Sequence, residues 1–316
     1  MKEQMQRIIL AGGSGFLGRA IAEHFLNAKW DAVILTRSPH QTGAAGRRVG
    51  WDARSLGSWQ RELEGAIAVV NLTRKSVNCR YNAANRKEIL DSRVNSTRVL
   101  GEAIGRCAQP PRVWLNASTA TLYKHTAGKA WDESGEVEAT HEAKDAFSVE
   151  VGKEWEGALE EAQTSGTRKV AMRMAMVLGM GKNSVFPVLR RLVRFGLGGK
   201  MGSGEQYVSW MHVVDYCRAV EWLINHDNLC GPVNLVSPNP VPNREMMRIL
   251  REVCRVPFGL PATEWMLEVG AFLLRTETEL IIKSRRVIPG RLLESGFQFQ
   301  FPSLKGAFED LMACQQ

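Results

Sequence analysis

Gly12, Gly15 and Gly18 recur at every third position, with Ser14, Phe16 and Leu17 set among them. An apolar, partly β-branched stretch from Arg7 to Ala11 precedes them, and Ile21, Ala22, Phe25 and Leu26 follow at helical spacing. A glycine loop between a strand and a helix can cradle a diphosphate. The first glycine permits a tight turn, the second lets an anion approach the backbone, and the third lets helix and strand pack closely. The helix N-terminus adds unpaired N–H groups and a partial positive charge. Gly12 through Gly18, including Ser14, Phe16 and Leu17, is therefore expected to hold a dinucleotide. A plain glycine turn is the alternative. The next strand, from Asp31, ends Thr36-Arg37-Ser38 without an acid. A chain that binds NAD usually carries Asp or Glu there for the ribose 2′-hydroxyl. A guanidinium fork beside a hydroxyl suits a 2′-phosphate instead. NADP(H) is thus the expected cofactor, with Arg37 and Ser38 at its adenosine end. The alternative for Arg37 is a solvated loop charge.

Strand, glycine loop, helix and strand make one βαβ unit, and the alternation continues. Residues 66–73 read as a strand, 85–105 as a helix, 112–118 as a strand, 147–163 as a helix and 169–178 as a strand. Such alternation predicts a parallel sheet covered on both faces. Past residue 180 the texture changes. Gly196, Gly198, Gly199, Gly202 and Gly204 mark one loop region, and Pro232, Pro238, Pro240 and Pro242 mark another. A short strand, Val233 to Val236, lies in the second. Helices are expected over 243–254 and 264–274. The expected fold class is α/β, a doubly wound (Rossmann) parallel sheet with a smaller C-terminal α/β substrate lobe. The expected division is 1–180 for the cofactor domain and 181–316 for the lobe, with one strand able to return to the main sheet.

The chain has 316 residues, 44% hydrophobic and 23% charged, which excludes a disordered or low-complexity protein. Its six cysteines form no C-x-x-C pair and have no His-rich neighbour, so neither a metal site nor a disulfide framework is expected. A reducing cytoplasm is the simpler setting. No apolar run reaches the roughly 20 residues of a membrane span, and glycines break the stretch that would serve as a signal peptide. The net charge of +8 admits a nucleic-acid surface or an anionic ligand. The basic residues are dispersed. Their densest clusters are Arg190, Arg191 and Arg194, then Lys283, Arg285 and Arg286. No nucleic-acid module is recognisable, so a small-molecule substrate is expected, with no nucleic-acid or membrane partner and the oligomeric state left open.

The chain resembles the extended and atypical short-chain dehydrogenase/reductases. Within them it is similar to the NAD-dependent epimerase/dehydratase-like branch that carries a C-terminal domain of unknown function. The resemblance rests on Gly12 to Gly18, Leu35 to Pro39, Val70 to Thr73, Ile89 to Val94 with Thr97, Ser209 to Val213 with Asp215, and Arg286 to Phe297 with Phe301 and Pro302. It implies that Leu72 and Thr73 line the cofactor. Arg74 stands where family members more often have glycine, which places a long cation near the diphosphate or the substrate, or else moves the loop. The superfamily's catalytic set is Ser/Thr plus a Y-x-x-x-K pair on one helix. There Lys lowers the Tyr pKa and Tyr passes a proton. Position matching gives Thr119 for the hydroxyl and Lys153 for the lysine that holds the nicotinamide ribose, with a solvated helix lysine as the alternative, but Val149 replaces the tyrosine. Tyr123 is the candidate substitute, with packing as its alternative role. Arg80, in a polar loop, could hold an anionic substrate group. His212, among apolar neighbours, reads as structural. Two functions follow. One is an NADP(H)-dependent oxidoreductase or epimerase-like enzyme acting on a carbonyl or alcohol. The other is a non-catalytic protein that senses NADP(H).

Overall fold

The central strands of the sheet are apolar on both faces because helices cover both. In the computed structural model, which describes residues 5–40, 45–181, 183–263, 266 and 283–314, seven strands form one parallel sheet. They are β1 (Arg7–Ala11), β2 (Asp31–Thr36), β3 (Arg47–Gly50), β4 (Ala68–Asn71), β5 (Val113–Thr119), β6 (Arg168–Met174) and, further along the chain, β10 (Gly231–Leu235). Their order is β3-β2-β1-β4-β5-β6-β10. The order reverses between β1 and β4, so their carboxyl ends diverge and leave a crevice where such sheets bind ligands. The expected doubly wound α/β fold is the one found.

Each face has its own core. Helices α1 (Phe16–Asn27) and α5 (Val213–Asn225) cover one side, where Ile21, Phe25, Tyr216 and Leu223 meet Ile8, Leu10 and Leu115. Helix α2 (Ala83–Gly105) lies on the other, burying Val99, Leu100, Ala103 and Ile104 against Ile9, Val69 and Trp114. Helix α3 (Ala146–Glu161) packs beside α2 and adds Leu159. The Asn82 side chain caps α2 by accepting the Asn85 N–H at 2.8 Å, which starts the helix two residues before the expected position.

The expected strand over 169–178 is two strands. The chain leaves the sheet after Met174, and β7 (Met176–Leu178) pairs in parallel with β9 (Trp210–His212). This pair leads to a separate core. Phe186, Leu189 and Val193 of α4 (Val185–Arg194) pack with Met246, Met247 and Leu250 of α6 (Asn243–Cys254) and with Trp210. Helix α8 (Leu304–Ala313) adds Leu304, Phe308 and Leu311. A small antiparallel pair joins β8 (Tyr207–Val208) to β11 (Val241–Pro242). The helix expected over 264–274 lies outside the described residues.

The segment after residue 282 runs back across the main domain. Trp131 forms a bridge with Val287, and the Val287 N–H donates to Ser209 Oγ at 2.9 Å. Past the short helix α7 (Gly290–Glu294), the Asp215 carboxylate accepts the N–H groups of Gln300 and Phe301, each at 2.8 Å. His212 Nδ1 caps α5 by accepting the Val214 N–H at 3.3 Å, and its ring lies 4.0 Å from that of Phe301. Burial holds its pKa below the usual histidine value, as befits a structural imidazole. The cluster of Lys283, Arg285 and Arg286 is no basic surface. Lys283 is fully buried, and the Arg286 guanidinium lies over the Tyr207 ring.

Candidate functional site

β1 ends at Ala11 and the chain turns at Gly12, whose φ of +71° disfavours any residue with a side chain. The turn is also crowded. A Cβ on Gly12 would lie 2.7 Å from Thr73 Oγ1, and one on Gly18 would lie 2.3 Å from the Gly13 Cα. Helix α1 therefore presses directly on the glycine loop. Gly15, its N-cap, offers no side-chain acceptor, and the first turn holds no acid. A Cβ on Gly15 would meet nothing within 4 Å. The loop thus presents open, uncapped N–H groups. Arg19 Nε donates to the Ser14 carbonyl at 2.9 Å and pins the turn.

These N–H groups border a cavity of about 770 Å³ over the carboxyl ends of the strands. Gly12, Ser14, Gly15, Phe16, Leu17 and Gly18 line its middle. Thr36, Arg37, Ser38, Trp51, Asp52, Ala53 and Arg54 line one end, and Leu72, Thr73, Arg74, Lys75, Ala117, Met174 and Asn183 line the other. Every residue expected to hold a dinucleotide faces this one space.

At the first end, the Asp52 carboxylate is consumed by its own turn. It accepts the N–H groups of Arg54 and Ser55, both at 2.9 Å, and the Ser55 hydroxyl at 2.5 Å. These bonds bring its pKa down to about 2. Asp52 is a turn anchor, and it sets Arg54 at the cavity wall. Sequence reasoning missed Arg54; its only signal was a cation two residues after that turn acid. At the other end, buried amides fix the loop after β4. Asn71 Nδ2 donates to Asn116 Oδ1 at 2.8 Å, and Asn71 Oδ1 accepts the Thr73 N–H at 3.1 Å. The Thr73 hydroxyl, against the glycine loop, has no hydrogen-bond partner among the described residues. An uncapped helix start and an orphaned hydroxyl in one cavity fit a diphosphate.

The expected proton-transfer group does not assemble at that cavity. Thr119 ends β5, and its Oγ1 accepts the Thr121 N–H at 3.1 Å. Tyr123 is only 2% exposed and is absent from the cavity wall. Its hydroxyl donates to Asn234 Oδ1 at 2.8 Å and accepts from Arg173 Nη1 at 3.0 Å. Arg173 in turn holds both oxygens of Glu156, at 2.9 and 2.8 Å. Burial raises the Tyr123 pKa, the reverse of what a proton donor needs. The Tyr123 hydroxyl is thus held inside the fold by Asn234 and Arg173. Lys153 is exposed on α3 and also absent from the cavity wall. The α3 residue that faces the end of β5 is Gly152, whose added Cβ would lie 3.3 Å from Thr119 Cγ2. One residue is about 100° of helix, which turns Lys153 to solvent. Arg80 lies in the loop before α2, off the cavity wall, and its carbonyl accepts from Asn85 Nδ2 at 2.7 Å.

Residues 8–235 match the NAD dependent epimerase/dehydratase family, and residues 262–311 match a domain of unknown function, DUF1731. The chain is 30% identical over 312 residues to the human epimerase family protein SDR39U1, covering 97% of this chain and 100% of that one. It is 32% identical over 295 residues to the epimerase family protein ML0860 of Mycobacterium leprae, covering 92% and 91%. Among solved structures it superposes on human SDR39U1 (isoform 2) with NADPH, with a TM-score of 0.83, 26% identity, and 98% and 99% of the two chains covered.

Proposed function

The chain belongs to the NAD dependent epimerase/dehydratase family, and from that premise we propose that it is an NADP(H)-dependent oxidoreductase or epimerase-like enzyme. Its substrate would be a small molecule with a carbonyl or alcohol carbon, and its six free thiols suit the cytoplasm. The observation that carries the cofactor choice is the adenosine end of the cavity. Arg37, Ser38 and Arg54 line it, and the Asp52 carboxylate beside them is bound up in its own turn. The related human protein with NADPH supports the same choice.

A bound nicotinamide dinucleotide would supply or accept a hydride. The residues of this chain do the rest. The uncapped N–H groups of α1 hold the diphosphate, Arg37, Ser38 and Arg54 hold the 2′-phosphate, and Leu72 and Thr73 hold the nicotinamide half. The Thr119 oxygen already accepts the Thr121 N–H, so its proton is available to donate to the reacting oxygen of the substrate. Fluorescence titration should show NADPH binding at least tenfold tighter than NADH. Arg37→Ala should lose about tenfold or more for NADPH alone, the worth of a charge-assisted hydrogen bond. Equal binding of the two cofactors by the natural chain would sink the assignment.

The second reading, a protein that senses NADP(H) without turnover, is favoured by one observation. Val149 stands on α3 where the superfamily's tyrosine would be, and Gly152 is the α3 residue beside Thr119. Thr119→Val separates the two. In an enzyme it should lower kcat on a responsive carbonyl substrate by about 100-fold, as loss of a transition-state donor does, with NADPH affinity unchanged. Hydride transfer absent from a broad carbonyl screen, with tight NADPH binding intact, would favour the sensor.

A further inference from the structure

The separate core around α4 and α6 carries a surface that the cavity does not use. Two segments build it, 184–204 and 255–263, and backbone bonds tie them side by side. The Leu260 N–H donates to the Gly196 carbonyl at 2.7 Å, the Gly199 N–H to the Leu260 carbonyl at 3.1 Å, and the Ala262 N–H to the Lys200 carbonyl at 2.9 Å. Gly196 turns the chain after α4 with a φ of +75°, and a Cβ there would lie 3.2 Å from Phe258 Cε2. Phe195 and Phe258 are thereby brought to neighbouring positions.

Neither ring is covered. Phe195 is 70% exposed and Phe258 is 64% exposed, and Val188, Leu197 and Leu260 are exposed as well. Five of the ten large hydrophobic side chains exposed among the described residues thus lie in these two short segments. Single exposed apolar residues need no account, but a cluster of them marks a contact surface. Val188, Arg191 and Phe195 follow at spacings of three and four, which puts them on one face at the end of α4. The Arg191 guanidinium lies 5.9 Å from the centre of the Phe195 ring.

Charge decides what this surface meets. Arg191, Arg194, Lys200 and Arg255 are exposed, and neither segment contains an Asp or Glu. The described acids that flank them are engaged. Glu205 pairs with Arg244, and Glu252 pairs with Arg248 and Lys305. An apolar surface with cations and no acid opposes a second copy of itself and complements an anionic partner. The aliphatic Val188, Leu197 and Leu260 gain nothing from stacked bases, which disfavours a nucleic acid. A lipid interface rewards all of these groups. Apolar side chains enter the acyl boundary while the cations stay among the headgroups.

We infer that this surface docks the protein on an anionic bilayer, with Phe195 and Phe258 at the acyl boundary and Arg191, Arg194, Lys200 and Arg255 at the headgroups. The expected absence of a membrane partner rests on the lack of a membrane span, and a peripheral contact needs none. The docking surface is independent of the cofactor and of the reaction.

Flotation of the full chain with lipid vesicles tests this. The natural chain should bind mixed phosphatidylserine and phosphatidylcholine vesicles about tenfold or more tightly than phosphatidylcholine alone. Arg191→Gln should weaken that binding about fivefold, the worth of one cation near such a surface. Phe195→Ser combined with Phe258→Ser should weaken it about tenfold or more at unchanged net charge. Leu293→Ser, which removes an exposed leucine outside both segments, should bind as the natural chain does. Urea midpoints of each variant separate loss of docking from loss of folding. Adsorption by net charge alone would leave the double phenylalanine variant within about twofold of the natural chain, which overturns the surface. So does a folded natural chain that binds both kinds of vesicle equally, or neither. A chain that ignores anionic vesicles but binds polyglutamate through the two phenylalanines would have an acidic polypeptide as its partner, and the bilayer is then overturned.

Discussion

Gly18→Val should leave a folded protein whose affinity for NADPH has fallen by about 100-fold or more. The reason is a clash with backbone, where nothing flexible can yield. An added Cβ at Gly18 would lie 2.3 Å from the Gly13 Cα, 2.4 Å from its carbonyl oxygen and 2.5 Å from its carbonyl carbon. The loop must move away from α1 by about an ångström, and it carries the uncapped N–H groups with it. Interactions that depend on placement lose on the order of 100-fold for such a shift. The site has its own control. Gly15→Ala meets no atom within 4 Å, so the loop stays in place and any loss comes from the methyl group entering the cavity. Gly15→Ala should therefore bind NADPH better than Gly18→Val by at least tenfold. Fluorescence titration of both variants, with urea midpoints to confirm folding, measures this. Binding by Gly18→Val within fivefold of the natural chain would mean that the loop yields without consequence, and the cradle would lose its basis.

The same loop marks how far the sequence could be read. From Arg7 to Thr36, every feature of the fold is local: an apolar run, three glycines, an amphipathic helix and a second apolar run. Local periodicity predicts such a unit, and the parallel sheet follows from its repetition. What local pattern does not carry is contact over distance. The Tyr123 hydroxyl follows the end of β5, and its partners are Arg173 and Asn234, 50 and 111 residues away. No short pattern announces that they meet. Lys153 poses a different difficulty. Helical spacing fixes which residues share a face, but not which face meets the strand, and one residue along α3 separates Gly152, beside β5, from the exposed Lys153. The split of β6 from β7 has no local mark, because the apolar character of Met174 continues into β7. Only the pairing of β7 with β9 decides that the chain leaves the sheet. Arg54 shows a further difficulty. A cation in a polar loop has no sequence mark that distinguishes a cavity wall from open solvent.

Lys283→Met should destabilise the protein by about 3–5 kcal/mol, the loss seen when one partner of a buried ion pair is removed. Lys283 and Asp145 are both 0% exposed, and they pair across the boundary between the returning segment and the start of α3. Lys283 Nζ also donates to the Thr121 carbonyl at 2.5 Å, while Asp145 Oδ1 accepts the Thr140 N–H at 2.8 Å. A methionine keeps most of the volume and removes the charge. It leaves one Asp145 oxygen in the interior without its cation, a penalty far larger than the lost attraction would be at a surface. If the uncompensated carboxylate is the cause, Asp145→Asn in the Lys283→Met background should recover at least half of the loss, because a neutral amide is cheaper to bury. Urea midpoints of the two single variants and the double variant make the cycle. A fall of under 1 kcal/mol for Lys283→Met would show that the pair contributes nothing net. The pair also bears on the candidate site. Thr121, whose carbonyl Lys283 holds, gives its N–H to the Thr119 hydroxyl. Lys283→Met should therefore weaken turnover at temperatures where the protein is still folded, while leaving NADPH affinity at the glycine loop unchanged. An equal loss of both would assign Lys283 to global stability alone. A selective loss of turnover would mean that the segment after residue 282 sets the hydroxyl position at the end of β5.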